Sequence, residues 1–288
     1  MFKPLPLFIW AGGKNKMLKH YLPLMPTEVD SYCEPFFGGG AMFIHVVKTY
    51  NPSRLVINDI NDDVMNIYRS IAHDYDVFKE RLNALEDHYI PLKKEDRKKY
   101  YFEVRHEHAY DYEKWSKPVE AATLYFLMKT GFNGIYQLNQ NTNGRYGTPS
   151  GLLNQKDVIY DRNVLDWWHQ VLQKTEILSG DYNNAVQDIK TFHFFDPPYR
   201  DSFADYGNGF GDDQLLRLIA ISDLRENVFL CNRDSGDGWF DDNKGDLNIA
   251  RFPVTYTAGR RKKTDAGFVA KPATEVLLYR TQQHNHFD

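Results

Sequence analysis

The chain contains little cysteine and no long apolar run. Cys33 and Cys231 are the two cysteines in 288 residues, and each lies in an apolar, strand-like stretch. This usage predicts buried, reduced thiols in a cytoplasmic protein rather than a disulfide framework. No apolar run has the length that a bilayer requires, and the mean hydropathy is -0.58, so no membrane partner is expected. Residues 1–6 carry one lysine and no apolar core, which does not indicate a secretory signal.

The sequence also lacks an obvious metal motif and an excess of positive charge. Its ten histidines have no cysteine or carboxylate partners at a metal-binding spacing, so we predict no metal ion. The net charge is -4 and the pI is about 6.2, whereas nucleic-acid-binding proteins usually carry a basic stripe. Basic side chains are instead grouped in residues 93–99 and 260–263. A polyanionic partner would therefore be bound by local surfaces rather than by the total charge.

The first part of the chain has the pattern of a nucleotide-binding unit. Residues 29–37 predict a strand that runs into Gly38-Gly39-Gly40, and residues 41–50 have the apolar spacing of a helix. Residues 54–60 predict a second strand, which ends near Asp59. A strand, a glycine loop, a helix and a second strand ending in an acid form the dinucleotide-binding type of unit.

The residue types around this loop suit a charged ligand. Glycines at a strand-to-helix turn allow a ligand to approach the backbone, and the helix N-terminus favours a carboxylate. Glu34 could bind an ammonium group, and Asp59 is well placed for ribose hydroxyls. Residues 10–14, Trp-Ala-Gly-Gly-Lys, combine a flat ring, two glycines and a cation, which indicates a clamp on a charged ligand.

The middle of the chain differs in character. Residues 61–131 predict charged helices, and residues 133–150 are dense in Asn, Gly, Gln, Thr and Tyr. Asn143-Gly144 in that stretch is a hairpin signal, and polar, turn-rich stretches of this kind often form recognition loops.

Strands resume from residue 176, and residues 191–195 predict a strand that ends at Asp196. We therefore expect an α/β fold with a Rossmann-like sheet, interrupted by a mostly helical insert that carries a β-hairpin. The expected organisation is a catalytic domain in two parts, residues 1–64 and 159–288, with a target-recognition insert at residues 65–158.

The tetrapeptide Asp196-Pro197-Pro198-Tyr199 is the strongest chemical signal. An exocyclic amino nitrogen is a poor nucleophile, because its lone pair is delocalised into the ring. The Asp196 carboxylate and the Pro197 carbonyl could accept its two N–H groups and draw it toward a tetrahedral shape, while the prolines fix both acceptors. Tyr199 offers a ring face to an extruded base. The motif therefore predicts in-line transfer of a methyl group from a sulfonium to such a nitrogen.

Several motifs in one order make the chain similar to the Dam-like family of DNA adenine methyltransferases (D12 class, with the alpha-type order of motifs). The matching segments are Phe8 to Lys14, Cys33 to Gly40, Ile57 to Asn61, Gly131 to Gly134, Asp196 to Tyr199 and Asn232 to Asp234. The resemblance implies a site-specific adenine DNA methyltransferase that uses S-adenosylmethionine, releases S-adenosylhomocysteine and acts on an adenine flipped out of double-stranded DNA.

The resemblance also implies site residues. The catalytic residues would be Asp196, Pro197, Pro198 and Tyr199. The cofactor would be bound by Trp10, Ala11, Gly12, Lys14, Glu34, Pro35, Phe36, Gly38 and Gly40 around its methionine part, by Asp59 and Ile60 at its ribose, by Asp181 and Tyr182 at its adenine, and by Asp196. The DNA would be contacted by Ile9, Phe132, Asn133, Gly134, Gln137, Arg145, Tyr146, Arg260, Arg261 and Lys262.

Two departures concern the recognition sequence. Members that recognise GATC resemble one another in having Lys where this chain has Ile9, and Arg where it has Gln137. Because Lys and Arg read guanine whereas Gln suits adenine, GATC is not carried over.

Other readings stay open. The same fold could serve an N4-cytosine or RNA adenine methyltransferase, or a catalytically silent DNA-binding relative. A nicotinamide-dependent oxidoreductase is disfavoured, because the GxGxxG order is absent. We expect a monomer in the cytoplasm of a bacterial cell, encoded by that cell or by a phage, with a cognate restriction endonuclease as an open partner.

Overall fold

A computed structural model describes residues 2–10, 12–151, 158–200, 210–256, 262–264, 267–269 and 271–282. The helices are α1 Leu18–Tyr21, α2 Ala41–Tyr50, α3 Asp62–His73, α4 Tyr75–Tyr89, α5 Lys94–Tyr110, α6 Lys117–Thr130, α7 Arg162–Leu172, α8 Asp212–Asp223 and α9 Trp239–Asn243. The strands are β1 Ser31–Glu34, β2 Arg54–Asp59, β3 Thr175–Ser179, β4 Phe192–Phe195, β5 Val228–Asp234, β6 Asn248–Tyr256, β7 Lys262–Thr264, β8 Gly267–Val269 and β9 Lys271–Arg280. Within these ranges, no helix has both the length and the apolar character needed to cross a membrane.

A seven-stranded sheet forms the centre of the molecule, in the order β3-β2-β1-β4-β5-β9-β6. Strands β1 to β5 run parallel, and β9 runs antiparallel to both of its neighbours, β5 and β6. The order reverses between β1 and β4, which creates a crevice at the carboxyl ends of these strands. The predicted Rossmann-like α/β fold is confirmed.

The central strands are apolar because both of their faces are covered. All four residues of β4, Phe192–Phe195, are buried, and so are Leu55 to Asn58 in β2. Parallel strands that are buried on both sides have this near-continuous apolar composition. His193 is accommodated in β4 because its Nε2 accepts from the Gln187 N–H at 3.0 Å, while its Nδ1 lies 2.9 Å from the Thr191 carbonyl.

The helical segment shares one apolar core with the sheet. The ring of Trp168 in α7 stacks on Phe43 in α2, with centroids 5.5 Å apart, and Tyr68 of α3 packs against the same tryptophan. The core continues from these rings to Phe126 in α6. The expected boundary at residue 64 falls inside α3, which contacts both parts, so the domain limits stay predictions.

A long loop follows α6, and we refer to residues 131–150 as the recognition loop. Isolated bridges join Gly131 to Ser150 and Leu138 to Tyr146. At its tip Asn143 and Gly144 have φ values of 54° and 71°, and the Arg145 N–H donates to the Thr142 carbonyl at 2.9 Å. Two successive left-handed residues closed by this hydrogen bond make a tight hairpin turn, so the Asn143-Gly144 signal is confirmed.

Candidate active site

The predicted chemical residues converge at the carboxyl edge of the sheet. Glu34 ends β1, Asp59 ends β2 and Asp196 directly follows β4. The three acids therefore line the crevice where the strand order reverses, which is the usual ligand site of open α/β sheets. Lys14 reaches the same place from a short 3-10 turn, Lys14–Lys16, before α1.

Lys14 and Asp196 form a close ion pair across the site. The Nζ of Lys14 lies 2.6 Å from Oδ1 and 2.7 Å from Oδ2 of Asp196, and it also donates to the Gly12 carbonyl at 3.0 Å. The lysine side chain is 3% exposed, while that of Asp196 is 20% exposed. The sequence assigns Lys14 to the cofactor, which stays a prediction, and in the structure its ammonium lies on the Asp196 carboxylate.

Burial and charge act in opposite directions on this pair. Burial by itself lowers the pKa of Lys14, but the nearby carboxylates of Asp196 and Glu275 raise that pKa above its ordinary value. Burial raises the pKa of Asp196, and the Lys14 ammonium opposes that rise. The attraction of the buried Lys14 ammonium thus holds the partly buried Asp196 carboxylate in the crevice.

A second acid, which the sequence analysis missed, completes the group. The Tyr199 hydroxyl donates to Oε1 of Glu275 at 2.6 Å and accepts from Lys14 Nζ at 3.1 Å. Glu275 lies on β9 and is 2% exposed. We call Lys14, Asp196, Tyr199 and Glu275 the quartet. The signal in the sequence that could have identified Glu275 is a charged residue directly before the apolar run Val276 to Leu278.

Two cations lie over the Tyr199 ring. Lys14 Nζ is 5.1 Å from the ring centroid, and the Arg233 guanidinium is 5.9 Å from it. A base stacked on Tyr199 would share the ring with these cations or displace one of them.

Asp59 is fixed by two backbone groups. Its Oδ2 accepts from the Gly38 N–H at 2.9 Å, and its Oδ1 accepts from the Asn61 N–H at 3.0 Å. Burial raises the pKa of Asp59, while these N–H groups oppose the rise. Each carboxylate oxygen has a further lone pair for a hydroxyl group. The neighbouring side chain predicted for the same ligand, Ile60, is 53% exposed.

The glycine loop fits closely around Trp10. A Cβ atom on Gly38 would lie 2.5 Å from Trp10 Cδ1, and the φ of Gly38 is 49°. Trp10 also packs against Tyr136 of the recognition loop, with centroids 5.8 Å apart. A side chain at position 38 would clash with the Trp10 ring. The packing of the protein itself therefore requires Gly38, with or without a ligand at the loop.

Acceptor groups predominate at this edge of the crevice. The Glu34 carboxylate is buried and accepts from the Tyr32 hydroxyl at 2.7 Å, and burial raises its pKa well above the ordinary value. The Asn58 amide nitrogen donates to the carbonyls of Pro35 and Gly180 at 3.0 Å each, while its buried amide oxygen has no hydrogen-bond partner among the residues described. An ammonium group, a ribose diol and an amino group all donate hydrogen bonds. A methyl-transferring cofactor that carries these groups therefore fits these residues.

An aromatic group borders the same edge. Phe36 stacks on Tyr182 with centroids 5.2 Å apart, and Phe210 meets both rings edge-on. Asp181 caps the short turn at Tyr182 by accepting from the Asn183 N–H at 2.8 Å. A planar base placed here would extend an existing stack.

The recognition loop presents exposed apolar side chains beside this site. Phe132 is 40% exposed, and Asn133 adopts a left-handed backbone with a φ of 53°. Ile9 is 67% exposed and packs against Gly134, where an added Cβ would lie 3.0 Å from that of Ile9. Gln137 is exposed in the same loop. Phe132, Ile9 and Gln137 are therefore exposed, and their DNA contacts stay predictions.

Two residues predicted to contact DNA are already engaged within the protein. Arg145 is paired with Glu120, lies 3.8 Å from Asp63 and covers the ring of Tyr112. Tyr146 is fully buried, and its hydroxyl donates to the Leu127 carbonyl at 3.2 Å. Both therefore hold the loop in place, and a phosphate contact by Arg145 would require new partners for Glu120.

Four predicted residues have side chains that the structure does not describe. Ala11, Arg260 and Arg261 lie outside the described residues, and Lys262 is described as part of β7 without its side chain. Their roles stay predictions.

The fold and its crevice are those of the Rossmann-like methyltransferases. The model of the D12 class N6 adenine-specific DNA methyltransferases matches residues 10–228. The type II methyltransferase M.MjaIII of Methanocaldococcus jannaschii is 31% identical over 226 residues, 74% of this chain and 77% of the relative. The type II methyltransferase M1.LlaDCHI of Lactococcus lactis subsp. cremoris is 28% identical over 272 residues, 90% of this chain and 91% of the relative. M.CviBI of a Paramecium bursaria Chlorella virus is 31% identical over 235 residues, 78% and 81% of the two chains.

This chain therefore belongs to the D12 class of N6 adenine-specific DNA methyltransferases. The predicted enzyme class, an adenine-specific DNA methyltransferase, is confirmed by this membership.

Proposed function

We propose that the protein transfers the methyl group of S-adenosylmethionine to N6 of an adenine that is rotated out of double-stranded DNA. The observation that carries this proposal is the placement of Asp196 at the end of β4, in the crevice that Asp59 and Glu34 also line. We assign Asp196 to the amine that is methylated, and Asp59 and Glu34 to the methyl donor.

The quartet supplies the acceptor side of the reaction. The amino group of adenine offers two N–H donors, which the Asp196 carboxylate and the Pro197 carbonyl would accept. In the structure Lys14 donates to both oxygens of Asp196, and each oxygen keeps a further lone pair that the amino group could use. Fixed acceptors lower the barrier because they need no reorganisation when charge develops on the nitrogen.

The donor is assigned to the acceptor-rich edge. S-adenosylmethionine supplies a methyl group that is activated by a positively charged sulfur. Asp59 would hold its ribose, Glu34 its ammonium, and the stack of Phe36 and Tyr182 its adenine. These residues orient the donor and exclude water, and we propose that no metal ion takes part.

The recognition loop is assigned to the DNA. Phe132 and Asn133 would fill the gap left by the rotated base, since apolar side chains often enter disrupted base steps. Exposed Ile9 and Gln137 would face the bases of the target sequence, which need not be GATC. We further propose that the protein acts as a monomer in the cytoplasm of a bacterial cell, encoded by that cell or by a phage, with or without a partner nuclease.

The test is methylation of plasmid DNA by the purified protein, with labelled S-adenosylmethionine, nucleoside analysis and sequencing of modified bases. We expect N6-methyladenine in one sequence context. Asp196→Ala should abolish transfer and leave donor binding largely in place, whereas Asp213→Ala, at an exposed acid in α8, should behave as the parent protein. Label in cytosine or in RNA would redirect the proposal to those substrates. DNA binding without transfer by the parent protein would point to a silent relative.

A further inference from the structure

Glu275 is buried at the active site, but the proposed binding of the base and of the methyl donor does not involve it. It lies on β9, where its backbone is in register with Arg233 of β5 on one side and with Phe252 of β6 on the other. The family model matches residues 10–228, so this strand lies outside the matched region. A buried carboxylate is costly unless it is paired or hydrogen-bonded, which makes its location informative.

The direction of the hydrogen bonds around Tyr199 follows from the chemistry of its partners. The Lys14 ammonium is a donor with no acceptor capacity, and it lies 3.1 Å from the Tyr199 oxygen. The tyrosine hydroxyl must therefore accept from Lys14 and direct its own proton to Glu275, at 2.6 Å. Glu275 is the acceptor that holds this hydroxyl in one orientation.

Glu275 also provides charge for Lys14. The ammonium now lies on the Asp196 carboxylate, at 2.6 and 2.7 Å. A target amine that hydrogen-bonds to Asp196 shares that carboxylate with the buried lysine and competes for its lone pairs. The other carboxylate of the quartet is Glu275, which is linked to Lys14 through the Tyr199 hydroxyl. That link gives the lysine a second source of negative charge while the base is bound.

From this geometry we infer that Glu275 is a positioning residue for methyl transfer, which acts through the Tyr199 hydroxyl and the Lys14 ammonium. The inference rests on the proposed function, because it assigns the target base to the Tyr199 ring. The hydrogen bond of Glu275 goes to Tyr199, which is assigned to the target base and not to the donor region of Asp59 and Glu34, so Glu275 should affect turnover rather than donor binding.

The experiment is a double-mutant cycle of Glu275→Gln and Tyr199→Phe, read as turnover at saturating DNA and S-adenosylmethionine. Each single change should lower turnover roughly 10- to 100-fold, the range for a lost hydrogen bond to a charged group. In the Tyr199→Phe background, Glu275→Gln should cost less than about threefold, because its partner is already absent. The dissociation constant of S-adenosylmethionine, measured by calorimetry, should stay within about twofold.

The matched control is Glu176→Gln, at a strand glutamate that is 49% exposed and lies 3.4 Å from Arg54. It should leave turnover unchanged. Multiplicative losses in the cycle, full activity of Glu275→Gln, or an equal weakening of donor binding would each overturn the inference.

A second readout separates this inference from the proposed function. The same four proteins are unfolded with urea, and the coupling between the two substitutions is taken from their unfolding equilibrium constants. A coupling of at least about fivefold is expected whether or not the protein methylates DNA. If the parent protein transfers no methyl group but the coupling is present, the proposed function fails and the Tyr199–Glu275 contact stands. If transfer occurs and neither cycle shows coupling, the inference about Glu275 fails.

Discussion

Replacement of Lys14 by methionine tests the central ion pair. The substitution keeps a chain of similar length but removes the ammonium from both oxygens of Asp196. Breaking a buried ion pair by removing one partner costs about 3–5 kcal/mol, because an uncompensated charge is left behind. The Asp196 side chain is still 20% exposed, so water can compensate part of this loss. We therefore expect the free energy of unfolding at pH 7 to fall by about 2–4 kcal/mol.

The loss should depend on pH in a defined direction. Without Lys14, burial raises the pKa of Asp196 above its ordinary value of 3.8 and the ammonium no longer opposes the rise. At Asp196 the folded variant then binds a proton at a higher pH than the unfolded chain does, so the contribution of this group to stability increases as the pH falls from 7 toward 4. The stability difference between the parent protein and the variant should be largest at pH 7 and should shrink toward pH 4.

The assay is urea unfolding of the parent protein, Lys14→Met, Asp196→Asn and the double variant at several pH values. The double variant should be more stable than the sum of the single losses predicts, by about 2 kcal/mol, because neither charge is then left alone. Additive losses within about 0.5 kcal/mol, or a loss that does not change with pH, would refute the reasoning.

Further predictions concern donor binding, the fold and the DNA. Asp59→Ala should raise the dissociation constant of S-adenosylmethionine about tenfold, because a hydroxyl acceptor is lost, with turnover at saturation within about threefold; an unchanged constant would contradict the ribose assignment. Gly40→Ala should destabilise the protein by about 1–3 kcal/mol more than Gly144→Ala in urea unfolding, because both glycines have positive φ but an added Cβ meets other side chains only at Gly40; equal losses would count against this packing. Burial lowers the pKa of His108 from 6.5 to about 3, so the unfolded chain binds the extra proton and stability should fall as the pH drops below 6.5; His108→Leu should flatten that slope, and an unaltered slope would exclude the histidine as its source. Phe132→Ala should reduce the fluorescence change of 2-aminopurine at the target position, and a signal equal to the parent's would remove this residue from base extrusion.

Local patterns in the sequence predicted most of the elements. Helix α2 begins and ends where the apolar spacing placed it, and the Asn143-Gly144 turn forms as its residue types require. These features depend on neighbours in the chain, which the sequence displays directly. Strand ends were less accurate: the strand predicted over residues 29–37 is β1, Ser31–Glu34, because the chain turns toward the glycine loop directly after Glu34.

The contacts that define the site are of another kind. Lys14 was assigned to the cofactor because it follows Trp10 and two glycines, but its main partner is Asp196, which lies on a distant part of the chain. Arg145 suggested a phosphate contact, whereas Glu120 of α6 holds its guanidinium. Glu275 was not predicted as a site residue, since a single acid at the start of an apolar strand has many explanations. Such pairings arise from tertiary structure, and one sequence contains no direct record of them.

The arrangement of β9 has a consequence for how the site is assembled during folding. Lys14 and Glu275 lie far apart in the sequence, and they meet at Tyr199 only when β9 has inserted between β5 and β6. Pairing between distant parts of a chain forms slowly. A folding intermediate in which β1 to β5 are paired and β9 is not would carry the tetrapeptide without its supporting acid. The site is therefore complete only when the whole sheet is paired.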